Sequence, residues 1–230
     1  MSKDKKVEHV EEQLHNVESA LSNAEQFIEK NQKNLVYLLL GIVVVVFGYW
    51  MMKAYYYGPQ ETESQSASFR AQIYFEKDSF KLALNGDGLN DGFVSIASKY
   101  SGTKAGNLAN YYAGVSYLQL GQFQKAIDYL KDFSSEDDLI QSLAVGATGD
   151  AYLELGNKEK AVSYYNDAID FKNSFTAPTF LFKLGLLQEE MGKNSDALES
   201  YTAIKNEYKT SAEFALIEKY ITRATLALQK

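Results

Sequence analysis

The sequence contains no cysteine, only two histidines and only two prolines. Without cysteine the chain has no disulfide, no thiolate metal site, no catalytic thiol and no cysteine to carry a lipid anchor. Both histidines, His9 and His15, lie near the N-terminus, so the rest of the chain lacks an imidazole for a catalytic triad or a metal site. No G-x-x-x-x-G-K-[ST] phosphate loop occurs. We expect a non-enzymatic protein without metal or cofactor; the enzymatic alternative is one that works with carboxylates alone.

An excess of positive charge is also missing. The net charge is −7, of which residues 1–34, with 5 lysines and 7 acids, contribute −2 and the remainder −5. Binding of nucleic acid or of an anionic membrane surface by bulk charge needs the opposite sign. We therefore expect no nucleic-acid partner.

One long apolar stretch, residues 35–52 (LVYLLLGIVVVVFGYWMM), contains no charge and no proline. As a helix of 18 residues it would span about 27 Å, close to the hydrocarbon thickness of a bilayer. A buried core helix would carry a polar face, and a cleaved signal peptide would begin with a short basic segment rather than 34 mostly polar residues. The stretch is therefore predicted to be a transmembrane helix that stays in the mature protein. Gly41 and Gly48 share one of its faces, which is a candidate contact for another membrane helix, although glycine is common in such helices without a partner.

The tail before this stretch has apolar residues at alternating spacings of three and four, the a/d pattern of a helix with one narrow apolar seam. It predicts either a coiled coil with a partner or an amphipathic helix that lies on a surface. The seam positions are Val7, Val10, Leu14, Val17, Leu21, Ala24 and Ile28.

Small residues recur in the C-terminal half at a period of 35 or 36 residues. A glycine lies seven positions before each of Gly121, Gly156 and Gly192, and an alanine lies five positions after each. Such spacing indicates antiparallel helix pairs that approach closely at one small residue and turn at another. The paired positions are Gly114 with Ala126, Gly149 with Ala161, and Gly185 with Ala197.

This pattern resembles the tetratricopeptide repeat. In that family the glycine of the first helix is followed three residues later by an aromatic, here Tyr117 and Tyr152. The bulky second-helix position is filled by Leu130, Tyr165 and Tyr201. Departures from the pattern are Gln188 at the aromatic position of the third repeat, Phe133 and Ile204 where a small residue is usual, and the absence of a closing proline.

The predicted fold is therefore all-α: an N-terminal helix and a single transmembrane helix, followed by a tetratricopeptide-repeat α-solenoid. The expected segments are a cytoplasmic tail (1–34), the transmembrane helix (35–52), a juxtamembrane linker (53–66) and the repeat domain (67–230). Within that domain we expect a degenerate repeat (67–106), three repeats (107–141, 142–177, 178–211) and a capping helix (212–229).

The resemblance implies a groove for proteins or peptides, lined by the first helix of each pair. The predicted groove positions are Tyr111, Val115, Gln119, Asp150, Glu154, Phe182, Leu186 and Glu189. A glycine-rich loop at 85–92 carries acidic residues, but Leu89 stands where a calcium loop needs an oxygen ligand, so we expect an ordinary turn there.

The positive charge on the two sides of the transmembrane stretch gives a narrow preference for orientation. Lys30 and Lys33 precede the stretch, whereas Lys53 and then only Arg70 follow it, which favours a cytoplasmic tail. This layout resembles the ancillary subunit family of the bacterial Sec translocon. That resemblance implies an inner-membrane protein whose periplasmic repeats act beside SecYEG, periplasmic chaperones and a membrane-anchored prolyl isomerase on newly exported chains. The alternative is a docking protein of the same fold that faces the cytoplasm or serves another envelope complex.

Overall fold

The computed structural model describes residues 2–53, 55 and 58–229, with side chains from Glu25 onward except that of Gln26. These described residues form helices and no strand, which confirms the all-α prediction. They divide into two units, Met1–Gly58 and Pro59–Lys230.

The first unit is one helix, α1 (Ser2–Met52), which continues without a break from the predicted tail into the predicted span. The helical segment Phe27–Met52 contains a window long and apolar enough to cross a membrane, and this segment includes the predicted residues 35–52. Gly41 and Gly48 lie within it, and nothing in the chain lies within 4 Å of a Cβ built at either glycine. Of the predicted seam, Ile28 is exposed. The seam side chains that fall outside the described residues are those of Val7, Val10, Leu14, Val17, Leu21 and Ala24.

The second unit is a stack of ten α-helices within the described residues, with one 3-10 turn, Glu213–Leu216, before the last helix. The helices are α2 (Gly58–Glu76), α3 (Phe80–Asn85), α4 (Phe93–Lys99), α5 (Lys104–Gln119), α6 (Phe123–Asp132), α7 (Asp138–Glu154), α8 (Lys158–Asp170), α9 (Ala177–Glu190), α10 (Asn194–Glu207) and α11 (Ile217–Ala227). Helices α5/α6, α7/α8 and α9/α10 form three helix pairs, and α11 packs on α10 at the C-terminal end. The first two pairs begin at Lys104 and Asp138, before the repeat starts expected at 107 and 142.

The N-terminal part of this unit corrects two predictions. The linker expected over 53–66 is shorter, because α2 already begins at Gly58; Pro59 fits a first helical turn, where its missing N–H would have no helical acceptor. The degenerate repeat contains three helices rather than two, because the chain turns after α2 at Asp78, whose φ of 53° is left-handed. Phe75 of α2 then packs edge-on against Phe80 and Tyr112.

The spacing of the first-helix glycines has the steric cause that the sequence predicts. A Cβ added to Gly114 would lie 2.5 Å from Leu130 Cγ, and one added to Gly149 would lie 2.8 Å from Tyr165 Cδ1. At Gly185 it would lie 2.7 Å from Tyr201 Cζ. The large second-helix residue of each pair therefore rests directly on the glycine of the first helix.

The second set of glycines ends the first helix of each pair. Gly121, Gly156 and Gly192 have φ values of 71°, 77° and 74°, a left-handed conformation in which side chains other than glycine's are strained. Each turn is closed by a hydrogen bond from the residue after the glycine to a carbonyl of the preceding helix, as from Gln122 N to Tyr117 O at 2.9 Å.

Two first helices begin with residues that suit a helix N-terminus. Asp137 precedes α7 and its carboxylate accepts a hydrogen bond from Leu139 N at 2.9 Å. Pro178 lies in the first turn of α9. In the 85–92 loop, Asp87 accepts hydrogen bonds from the backbone N–H groups of Asn90 and Leu89 and from the Tyr74 hydroxyl, which hold the pKa of its carboxyl well below the usual range.

Candidate protein-binding groove

The first helices of the three repeats, α5, α7 and α9, line a cleft of about 470 Å³. Gln119 of α5 and Asp150 and Glu154 of α7 are three of the predicted groove residues, and the structure brings them together here. The other lining residues are Leu118, Gly121, Phe123, Leu153 and Lys183. Leu118, Phe123 and Leu153 are partly buried and pack on the main core, so the cleft presents both apolar and polar side chains.

Five predicted residues do not line this cleft: Val115 is partly buried against the small core that contains Phe133, and Leu186 is exposed. The other three make specific contacts elsewhere. Tyr111 is half-buried and packs with Phe133 at a ring separation of 5.4 Å, as part of a small core between α5, α6 and α7. Phe182 packs edge-on against Tyr220 of α11 at 4.7 Å. Glu189 is paired with Arg223 of α11. The terminal helix thus packs against two positions of the third repeat that the repeat pattern assigns to the groove.

Asp150 is the most constrained polar group of the cleft. It accepts a hydrogen bond from the Tyr165 hydroxyl of α8 at 2.7 Å, and its two oxygens lie 2.8 and 2.7 Å from Lys183 Nζ of α9. Burial, together with the Asp150 carboxylate, raises the pKa of Tyr165, so the phenol stays a donor at neutral pH. One carboxylate therefore joins both helices of the second repeat to the first helix of the third.

The same arrangement recurs one repeat later. Glu189 of α9 accepts a hydrogen bond from the Tyr201 hydroxyl of α10 at 2.8 Å and is bound by the Arg223 guanidinium of α11, with Nε at 2.9 Å. Burial and the Glu189 carboxylate raise the pKa of Tyr201 as well. We call these two clusters the carboxylate ladder: a first-helix acid, the tyrosine of the same repeat and a cation of the next first helix.

Sequence reasoning missed the cations of this ladder. Asp150 and Glu189 stand at groove positions, but Lys183 and Arg223 are 33 and 34 residues away along the chain. The repeat period of 35 or 36 residues could have predicted these pairs. Residues about one period apart occupy equivalent positions on successive first helices and therefore lie side by side.

A second contact between the two helices of a repeat is formed by stacked tyrosines in the first and second repeats. Tyr117 stacks on Tyr129 at 5.3 Å, and Tyr152 stacks on Tyr164 at 5.2 Å. In the third repeat the same contact is polar, since Ser200 Oγ donates to Gln188 Oε1 at 2.8 Å in a buried position. The departure at Gln188 is therefore matched by a complementary change on the second helix.

Among the described residues no group of three or more His, Asp or Glu side chains is placed to hold a metal ion. The polar residues of the cleft can donate and accept hydrogen bonds and can pair with charge.

The comparisons with known proteins agree with this geometry. Tetratricopeptide-repeat family models match residues 111–174 and 180–211. A crystal structure of the MamA protein superposes with a TM-score of 0.58 at 19% identity, over 75% of this chain and 84% of that one.

A second solved structure contains nearly identical TPR-like repeats attributed to a kinesin light chain of Podosopora anserina. It superposes with a TM-score of 0.54 at 14% identity, over 74% of this chain and 88% of that one. No curated protein sequence matches the chain significantly. Residues 111–174 and 180–211 are therefore tetratricopeptide repeats, the helical stack has the fold of a repeat solenoid, and such repeats indicate a protein-interaction scaffold.

Proposed function

We propose that this protein is a single-pass membrane-anchored scaffold that binds protein segments in the cleft between α5, α7 and α9. The observation that carries the proposal is that Gln119, Asp150 and Glu154, from two first helices, line one cleft together with apolar side chains. A fixed apolar surface with a few hydrogen-bonding groups suits a protein segment that changes from one partner to the next. The same residues contain no nucleophile paired with a base, so the proposal includes no catalytic step.

The membrane part of the proposal rests on α1. The helical segment Phe27–Met52 contains an apolar window long enough to cross a bilayer, and none of that window is buried in the protein. Lys30 and Lys33 lie on the N-terminal side, which favours a cytoplasmic tail and a repeat domain on the far side of the membrane. A chain without cysteine is compatible with an oxidising compartment such as the bacterial periplasm.

We further propose that the periplasmic repeats act beside the Sec translocon and receive newly exported chains together with periplasmic chaperones. This finer assignment is supported by the layout of a short tail, one span and an acidic repeat domain. Gly41 and Gly48 would provide the close helix contact with a translocon subunit.

Topology and partner are tested separately. Because the chain has no native cysteine, a Ser163→Cys variant carries a single thiol on the exposed surface of α8. We expect a membrane-impermeant maleimide to label it in intact spheroplasts; labelling only after lysis would instead support the cytoplasm-facing alternative.

Purification in mild detergent tests the partner. It should recover translocon subunits with the native span and not with an unrelated span of equal length. Recovery that is independent of the span would contradict the translocon assignment.

A further inference from the structure

The cleft has an unequal charge distribution that follows from the carboxylate ladder. Its one cation, Lys183, is held by both oxygens of Asp150 at 2.7 and 2.8 Å. The next cation along the stack, Arg223, is bound in the same way by Glu189. Both positive groups are thus neutralised by acids of the chain itself and are not available to an acidic ligand.

Glu154 is different. It lies at the C-terminal end of α7 on the rim of the cleft, is exposed, and forms no ion pair among the described residues. Its carboxylate is also close to the negative end of the α7 dipole, so that a positive partner would be favoured there for two reasons. Gln119 lines the same cleft and offers an uncharged donor and acceptor.

The apolar part of the cleft lies beside this acid. Leu118, Phe123 and Leu153 present partly buried side chains, and Gly121 also lines this part of the cleft. A large apolar side chain of a ligand would remove this surface from water, while a neighbouring cation would face Glu154.

We propose that the cleft is selective for segments in which a lysine or arginine adjoins a large apolar residue, with Glu154 as the acceptor of the cation. The inference rests on the proposed protein-binding function and names the chemistry of the bound segment. Lys183 acts as an internal substitute for the ligand's cation at Asp150. Selectivity is therefore opposite to that of a groove with free lysines, and acidic segments are rejected.

Replacing Lys183 tests whether peptide affinity rises when the cation of the cleft is removed. Replacing it in Lys183→Met leaves the Asp150 carboxylate without its cation, which adds a second acidic acceptor to the cleft. We expect this variant to bind a basic, apolar peptide about threefold more tightly, since a partly exposed ion pair contributes about 0.2–1 kcal/mol. A Glu154→Gln variant should bind it about threefold less tightly by the same measure.

The experiment uses the full chain in phosphatidylcholine nanodiscs, with empty nanodiscs as the reference. The probe is a fluorescein-labelled serine octapeptide that carries two Lys-Leu pairs; its counterparts carry Glu-Leu or Lys-Ser pairs. Binding is followed by fluorescence anisotropy at low and moderate salt. The matched control is Glu199→Gln, which removes the same charge from an exposed position on α10.

The expected order of affinity is Lys-Leu first, then Lys-Ser, with Glu-Leu weakest, and added salt should weaken Lys-Leu binding. Equal or tighter binding of the Glu-Leu peptide would overturn the proposal, as would a Glu154→Gln variant that behaves like Glu199→Gln. Circular dichroism shows whether each variant keeps its helix content. If none of the peptides binds but a photo-crosslinker at Gln119 still captures an envelope protein in cells, the proposed chemistry is wrong and the scaffold function stands. Selective peptide binding without a crosslinked envelope protein would support the proposed chemistry and contradict the scaffold function in the envelope.

Discussion

A single added methyl group at Gly146 tests how the second and third repeats are held together. Gly146 lies in the middle of α7, and a Cβ built there would come within 2.7 Å of Phe180 Cε2 and nearer still to Cζ. Phe180 belongs to α9, is 4% exposed and lies 6.2 Å from the Tyr165 ring, so its ring has little room to move. The close packing of Phe180 against α7 therefore requires that residue 146 has no side chain.

The expected cost of Gly146→Ala combines two opposing effects. Alanine in a helix interior stabilises by about 0.5–1 kcal/mol relative to glycine, whereas overpacking a rigid core costs about 1–3 kcal/mol. We therefore expect a net loss of about 1–2 kcal/mol in the free energy of unfolding. Urea titration of the detergent-solubilised chain, followed by circular dichroism, measures it.

A double-mutant cycle identifies the cause. Phe180→Leu shortens the opposing side chain, so in its presence the added methyl group of Gly146→Ala should cost at least about 1 kcal/mol less than it does alone. A Gly146→Ala variant that is more stable than the natural protein would refute the reasoning. Additive effects within about 0.5 kcal/mol would refute it as well.

Three further predictions concern the ladder, the polar pair and the turns. Because the folded pKa values of Tyr165 and Tyr201 are raised above about 10, the unfolded chain loses these protons first, and stability should fall as pH rises above about 10. Urea titrations at several pH values should give a shallower fall for Tyr165→Phe, and an unchanged slope would contradict this. Ser200→Ala leaves the buried Gln188 amide oxygen without its donor and should cost about 1–3 kcal/mol in urea unfolding, whereas no loss would show that water replaces it. Gly156→Val should lower the melting temperature more than Val162→Ala does, because only the former forces a branched side chain to φ near 77°; the reverse order would contradict the turn assignment.

The repeat pairs could be predicted from the sequence because their spacing has a local steric cause. Gly114, Gly149 and Gly185 each face a large residue of the very next helix, and the positions of both partners follow from one repeat of the pattern. The turn glycines are equally local, since a left-handed residue after a helix is a property of a few neighbouring residues.

Contacts between repeats were not predicted. Phe180 packs on Gly146, and Asp150 pairs with Lys183. Both contacts join residues on successive first helices, so they depend on the angle and register between repeats. The predicted groove residues show the same limit. Gln119, Asp150 and Glu154 meet in one cleft, whereas Phe182 and Glu189 pack against α11, whose position the repeat pattern does not specify.

At the N-terminal end of the repeat domain the sequence pattern was misleading because a break interrupts it. The degenerate repeat expected over 67–106 contains three helices, because the chain turns at Asp78, where φ is 53°. Pro59 falls within the linker expected over 53–66 but lies in the first turn of α2, since proline is compatible with that position.

The central claim is that the cleft at Gln119 meets envelope proteins while the protein is anchored in the membrane. The most direct test places a photo-crosslinking benzoylphenylalanine at Gln119 in one variant and at Ser163, on the exposed surface of α8, in another. Both variants are expressed as full chains and irradiated in intact cells. The proteins crosslinked to each variant are then identified by mass spectrometry. We predict crosslinks from position 119, and not from position 163, to translocon subunits or newly exported chains. Identical products from both positions, or cytosolic proteins alone from position 119, would contradict the account.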